Sequence, residues 1–306
     1  MSKEYRFSEE MLACGETVQL IRDCSFRKTT LIDKEHEKNR SCITYLTDSL
    51  YLKSLLNGEF AGVICTPELA EAVRDSFDGG ILVAENPRTA FFEIYNGIYA
   101  KLELPDTFID ETALVAEDAK IASKGVRIGA GCVIKSGTVI EENVTIGRDC
   151  TIMENCIIGA PAFYYYGDGD DRKPVKAGYG VVIGNRVSLH AGTIVEAGVF
   201  RPSFLDDNAK ASNRVHIAHD VRVGKNCVLP VGVTLSGLCT LEDNCSLGVG
   251  ATVAPGVTVG HDAKLSIGAV VTKSVPPRER YSGNFAVEHS AFVAHIKKIS
   301  QRNEGK

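Results

Sequence analysis

The stretch Ile217–Val271 reads IAHDVRVGKNCVLPVGVTLSGLCTLEDNCSLGVGATVAPGVTVGHDAKLSIGAVV. Counting in sixes from Ile217 meets Val223, Leu229, Leu235, Leu241, Leu247, Val253, Val259, Leu265 and Val271, ten aliphatic residues without a gap. Four positions after these sit mostly small or β-branched residues: Val221, Cys227, Val233, Cys239, Cys245, Ala251, Val257 and Ala263. A period of six fits neither an amphipathic helix, near 3.6, nor a strand, at 2. It is the period of hexapeptide repeats, which wind into a parallel β-helix. In such a coil the aliphatic and the small residue both point inward, and the residues between them turn a corner. Three hexads close a triangular rung, so residues 18 apart stack on one another.

Outward from this run the pattern continues towards the N-terminus. It begins at Ile109, Val115 and Ile121, shifts phase by one residue, and resumes as Ile128, Ile134, Ile140, Ile146, Ile152 and Ile158. It stops at Gly159, and residues 160–180 (APAFYYYGDGDDRKPVKAGYG) form an inserted loop with five aromatic residues. A long loop in a tight solenoid is usually functional, and insertions in repeat proteins collect on the binding face. Its tip, Gly167–Asp171, lacks the spacing and closing Glu of a calcium-binding loop and reads as a solvated turn. Hexads return at Ile183, Leu189 and Val195, break at Phe200-Arg201-Pro202-Ser203, and rejoin through Leu205 and Ala211. Pro276-Pro277 is expected to end the coil.

Residues 1–104 carry no hexads. Strand-like Cys42–Leu46, Gly62–Cys65 and Ile81–Ala84 alternate with helix-like Tyr51–Leu56, Pro67–Ser76 and Pro87–Leu102, which indicates a small α/β domain. The expected organisation is therefore an α/β domain over 1–104, a β-helix over 105–276 with the loop 160–180, and a tail over 277–306. From Val287 that tail, with Ala291, Phe292, Ala294, Ile296 and Ile299 beside Lys297, Lys298 and Arg302, reads as a short amphipathic helix with a basic face. It is either a cap on the coil or a binding element.

The composition sets bounds. A net charge of −5, from 34 basic and 39 acidic residues, gives no general reason to expect nucleic acid. No apolar run approaches the length of a membrane span, and the polar N-terminus does not read as a signal peptide, so a cytoplasmic protein is expected. Of the 10 cysteines, Cys132, Cys150, Cys156, Cys227, Cys239 and Cys245 fall at the small inward position, where a free Cys acts as a small hydrophobe. With no CxxC pair, neither a disulfide framework nor a metal site is expected.

Among seven histidines, His36, His190, His261, His289 and His295 read as surface or tail residues. His216 and His219 differ because they flank one hexad in Asn213-Arg214-Val215-His216-Ile217-Ala218-His219-Asp220. His216 faces outward from a strand, and His219 sits at a corner. Amide formation needs a base to deprotonate an amine, and a His is suited to it. It also needs a backbone N–H to stabilise the oxyanion. One rung above His219, at the same corner, lies Gly237, where the missing side chain permits close approach of a thioester carbonyl. Each position has a plain structural reading too: the histidines as surface groups, Gly237 as a corner glycine. A zinc site of three converging histidines fits poorly, because His261 is out of register with His216 and His219.

Several segments resemble the UDP-3-O-acylglucosamine N-acyltransferases of lipid A assembly. Cys42-Ile43-Thr44-Tyr45-Leu46-Thr47-Asp48-Ser49-Leu50-Tyr51 resembles that family's uridine-binding segment, and Asn86-Pro87-Arg88-Thr89-Ala90-Phe91 the helix start that follows. Ile158-Gly159-Ala160-Pro161-Ala162-Phe163-Tyr164-Tyr165 and Gly180-Val181-Val182-Ile183-Gly184 resemble the frame of its inserted loop. Val215–Val221 resembles its catalytic rung, and Ser282-Gly283-Asn284 its closing segment. The resemblance implies a left-handed β-helix, a homotrimer with sites between subunits, and an acyl-carrier-protein donor. It implies Tyr45 and Tyr51 around the uracil, Asp48 bonded to it, His219 as general base and Gly237 as oxyanion donor. His216, Asn213 and Phe163 complete the expected substrate-binding set.

The chain departs from that pattern at specific positions. Asp48 replaces an Asn, Ser212-Asn213 replaces an Asp-Asn ahead of the catalytic His, and Gly256 replaces a second His. Phe200-Arg201-Pro202 replaces Asp-Arg-Gly. The Ser212 change leaves the expected base without its acidic partner. The closing segment Ala269–Pro276 and the pair His219-Asp220 resemble acetyl-CoA-dependent transferases of nucleotide-linked amino sugars. The expected function is N-acyl transfer to a UDP-linked amino sugar from acyl carrier protein, or from acetyl-CoA, with no bound cofactor. A solenoid that binds a nucleotide sugar without turnover is the non-enzymatic reading.

Overall fold

The computed structural model of the 306-residue chain describes residues 3–15, 17–32, 41–283, 286–291 and 293–294. From Phe108 the chain winds through strands of two to four residues that gather into three parallel sheets, two of eight strands and one of six. Ile134 lies opposite Ile152, Ile217 opposite Leu235, and Leu235 opposite Val253, the stacking that the hexads imply. The aliphatic positions and the six coil cysteines fill one continuous core, and those cysteines are free thiols. Burying each Leu or Ile withdraws about 1.5–3 kcal/mol of apolar surface from water, and each rung rests only on its neighbours.

Corners make the sequence legible. The chain turns with positive φ at Asn143, Asp149, Asn155, Asn208, Asp220, Asn226, Asn244 and Asp262. Asn and Asp are the side chains that tolerate this region best, so the polar residue between hexads is a geometric requirement. Arg186, Arg214, Leu238 and Arg278 depart from these short polar corners, and Leu238, at φ 67°, sits beside the candidate site.

Two interruptions shape that site. Val144–Ile146 pairs with Val181–Ile183, so residues 160–180 leave the coil as an excursion. Within it, Tyr165–Tyr166 pairs antiparallel with Lys173–Pro174, and the Asp-rich tip is exposed. The second break is smaller: Ile194 pairs with His216, 22 positions on instead of 18. Residues 199–202 take up the difference.

The coil runs past its expected end. Arg280–Tyr281 pairs in parallel with Lys264–Leu265, so Pro276-Pro277 turns a corner and does not stop the winding. Gly260 lies beneath, where a Cβ would come within 2.5 Å of the Pro277 nitrogen; its absence makes room for the ring. His289–Ala291 are helical, whereas His36, Asn284, Phe292, His295, Ile296, Lys297, Lys298, Ile299 and Arg302 lie outside the described residues.

The N-terminal part contains a five-stranded sheet in the order Val18–Arg22, Gly80–Ala84, Gly62–Cys65, Cys42–Leu46, Lys28–Thr29. Only the first pair is antiparallel. The helix Pro87–Ala100 covers it with Phe91, Phe92, Ile94, Tyr95 and Ile98. This layer is not closed on itself. Phe92 and Tyr95 share a cluster with Ala162, Tyr166, Val199 and Phe200, so both interruptions of the coil pack against the helix. No helix among the described residues is long and apolar enough to cross a membrane.

Candidate active site

The strand His216–Ile217 sends Ile217 into the core and turns at His219-Asp220. Asp220 holds φ 62° and is completely buried, while the His219 side chain keeps 12% of its surface exposed. His219 Nδ1 lies 2.7 Å from Asp220 Oδ2. A carboxylate can only accept there, so the network assigns the proton to Nδ1 and leaves the Nε2 lone pair free.

A buried carboxylate must be satisfied, and the four-residue break does this. The backbone N–H groups of Val199, Phe200 and Arg201 donate to Asp220 Oδ1 at 3.1, 2.7 and 2.8 Å. Three consecutive amides thus form an anion-binding nest inside the protein. The Asp220 N–H donates to Ser203 Oγ at 2.9 Å. Arg201 Nε donates to the Asp220 carbonyl at 2.8 Å, and Nη2 to the Leu238 carbonyl at 3.1 Å. This arrangement corrects the expectation drawn from Ser212. The acidic partner is the next residue in the chain, turned back onto the imidazole by its left-handed backbone.

Glu196 forms the floor. Its Oε2 accepts the His219 N–H at 3.1 Å, and its Oε1 lies 3.3 Å from His216 Nε2. Burial pushes the Glu196 carboxyl up, but the hydrogen bond and charge of His216 and the His219 N–H outweigh it and hold the group below its ordinary value. Tyr164, from the inserted loop, meets His219 edge-to-face with ring centroids 5.3 Å apart.

Gly237 stands directly over the free nitrogen. A Cβ there would come within 2.6 Å of both Nε2 and Cε1 of His219, so only glycine fits. The Leu238 N–H donates to the His219 carbonyl at 3.0 Å, and the Gly256 N–H to the Gly237 carbonyl at 3.0 Å. The Gly237 N–H makes no hydrogen bond to any described residue. An imidazole nitrogen and an uncommitted backbone donor therefore share one corner.

The remaining expected residues are placed less uniformly. Tyr45 is half-buried, 5.1 Å from Phe91 and 6.2 Å from Phe92 between ring centroids. Phe92 stands 5.6 Å from Tyr164, so rings run from Tyr45 to His219 within one chain. Asp48 accepts the Leu50 N–H at 2.9 Å and caps the turn Ser49–Tyr51, on which Tyr51 is exposed. Phe163 is 81% exposed and touches Tyr165 rather than the base. Asn213 is exposed at a separate corner, its carbonyl taken by the Gly232 N–H. Glu196, Ser203 and the 199–201 amides were absent from the sequence reading. The broken hexad at 200–203 was their one visible signal.

Residues 125–160 match the family model of bacterial transferase hexapeptide repeats (six repeats), and residues 238–273 match the hexapeptide repeat of succinyl-transferase. The repeats and the three parallel sheets together define a left-handed parallel β-helix built of hexapeptide repeats. Relatives with matching segments bear the name UDP-3-O-acylglucosamine N-acyltransferase. That of Caulobacter vibrioides (strain NA1000 / CB15N) is 44% identical over 57 residues, 19% of this chain and 17% of the relative. That of Methylorubrum extorquens (strain PA1) is 30% identical over 103 residues, 34% and 29% of the two chains. In the solved UDP-N-acetylglucosamine acyltransferase from Campylobacter jejuni, similarity covers 58% of this chain and 72% of that one, at 24% identity and a TM-score of 0.48. The chain spans 17% and 29% of the length of these two curated relatives, so the likeness to them is segmental.

Proposed function

We propose that the chain is an N-acyltransferase that moves an acyl group from a thioester to the amine of a UDP-linked amino sugar. The observation that carries this reading is the placement of His219 Nε2 against the bare face of Gly237, where a Cβ would come within 2.6 Å of it. The free-base amine attacks the thioester carbonyl while His219 Nε2 takes its proton. The oxyanion of the tetrahedral intermediate accepts a hydrogen bond from the Gly237 N–H. Collapse breaks the carbon–sulfur bond, and the imidazolium returns the proton to the leaving thiolate. Amide and free thiol result, and His219 is neutral again. Asp220 steadies the transient imidazolium and keeps its own charge.

Tyr45, Asp48 and Tyr51 form the proposed uridine end of the site, with Phe163 at the loop, His216 beside the base and Asn213 as a further substrate contact from its separate corner. The reading includes an acyl-carrier-protein donor, a homotrimer with sites between subunits, and a cytoplasmic location, where carrier protein and nucleotide sugars meet. The His219–Asp220 pair favours a second reading for the donor, acetyl-CoA, because that pair resembles the acetyl-CoA-dependent class. A thiol-release assay on a UDP-amino sugar, run beside acetyl-CoA and a 3-hydroxyacyl carrier protein, separates the two donors. His219→Ala is expected to lower kcat by at least about a hundredfold. Near-normal turnover by that variant removes His219 from the role of base.

A further inference from the structure

We propose that Arg88 clamps the diphosphate of the substrate, a role that rests on the UDP-linked reading above. Its guanidinium carbon lies 5.4 Å from the centroid of Phe92. Phe92 is the fully buried ring between the half-buried Tyr45 and Tyr164, and Tyr164 in turn meets His219. The strip from Tyr45 to His219 thus passes over Phe92 and Tyr164, and a cation stands on the first of these rings.

The chemistry of the ligand maps onto this strip. A base stacked at Tyr45 and an amine at His219 leave the two phosphates midway, beside Phe92. Arg88 is half-buried, and Nη2 donates to the Tyr165 carbonyl at 2.7 Å. That bond uses one of five N–H donors and no countercharge. Among the described residues no carboxylate pairs with Arg88, whereas Arg6, Lys101, Lys124 and Lys173 each have one. A guanidinium held over an aromatic face, with four N–H donors uncommitted, suits two-point recognition of phosphate oxygens. The start of the helix contributes little, because Asn86 already accepts the Thr89 N–H at 3.1 Å. The side-chain charge carries the role.

The Arg88–Tyr165 bond adds a positional consequence. Arg88 ties the inserted loop to the helix Pro87–Ala100, as Glu93 and Asn96 also do, so the same side chain contributes to where Tyr164 lies over His219. Loss of the clamp and loss of the tie have different signatures.

The test is calorimetric titration of uridine, UMP and UDP into wild type, Arg88→Gln and His219→Ala proteins, with a thermal melt of each. Wild type and His219→Ala are expected to bind UDP alike, because the base does not touch the diphosphate. Arg88→Gln is expected to weaken UDP by about 10–100-fold, the worth of a charge-assisted pair, and uridine by less than about twofold. Arg88→Lys, which keeps charge but not the fork, is expected to fall between. Equal weakening of uridine and UDP by Arg88→Gln overturns the clamp and leaves only the tie to Tyr165. Unchanged UDP affinity overturns it as well. Wild-type protein that binds neither uridine nor UDP refutes the nucleotide reading itself, and the clamp with it.

Discussion

The coil carries two corners of nearly identical wiring. At one, His219 Nδ1 meets Asp220 Oδ2 at 2.7 Å and Glu196 accepts the His219 N–H at 3.1 Å. At the other, His261 Nδ1 meets Asp262 Oδ2 at 2.8 Å and Glu242 accepts the His261 N–H at 2.8 Å. Both aspartates turn with positive φ. The surroundings separate them. His219 and Asp220 expose 12% and 0% of their side chains, His261 and Asp262 42% and 46%. Three backbone amides hold Asp220, while the hydrogen bond from His261 is the main influence on Asp262 and holds its carboxyl below the ordinary value. An aromatic ring and a bare glycine face His219; an open groove of about 530 Å³, lined by Phe204, Arg222 and Thr240, borders His261. A His–Asp pair is thus an easy product of a hexapeptide corner. Desolvation, the nest and the glycine above it distinguish a candidate base from a surface pair.

The largest test of that contrast is paired substitution of the aspartates. Asp220→Asn puts an amide where three N–H groups expect a charge and frees Nδ1 to lose its proton. Turnover should fall at least about a hundredfold and unfolding free energy by about 2–4 kcal/mol. Asp262→Asn should change neither kcat, within about twofold, nor the melting point beyond surface-substitution scatter. Equal losses at the two corners in thiol-release and thermal melts would erase the distinction.

The glycines give the next contrast. Gly237→Ala and Gly260→Ala each force a contact, with the His219 ring and with the Pro277 backbone respectively. Both should cost about 1–3 kcal/mol by overpacking. Only Gly237→Ala should also lower kcat, by tenfold or more, read in the same assay. If Gly260→Ala slows the reaction equally, the glycine over Nε2 has no special place.

The smallest effect concerns pH. The Glu196 carboxyl is held below its ordinary value in the folded state, so its contribution is present above the unfolded value of about 4.5 and fades as pH falls through the folded one. Glu196→Gln should therefore narrow its stability gap to wild type as melts are taken from neutral pH down below pH 4.5. A gap that stays constant across that range would mean His216 and His219 do not depress this carboxyl.

The coil was open to reading because each hexad repeats the same rule, and Ile217, Leu235 and Val253 stack as counted. His219 and Gly237 were legible for the same reason, one rung apart at one corner. Asp220 was visible as a neighbour but not as a partner, because counting gives the corner and not the way its side chain folds back. The nest escaped entirely. Val199, Phe200 and Arg201 act through their amides, which carry no residue signature, and they lie where the periodicity fails. Glu196 meets His219 only because that failure shifts the rung by four places. In the N-terminal part, the edge strand Val18–Arg22 was missed, since its alternation is short and partly exposed.

One residue, Val199, ties the two halves of the protein together. The Val199 N–H holds Asp220 at 3.1 Å, and its carbonyl accepts the Tyr95 hydroxyl at 2.5 Å. Tyr95 belongs to the helix on the N-terminal sheet. The molecule is therefore less modular than its sequence suggests. A coil severed ahead of Asp106 retains His219, Asp220 and Gly237, yet the loop that fixes the carboxylate loses its anchor. Grafting a different front end onto these rungs would require a new residue to grip Val199, or the base would inherit the looseness of the corner at His261.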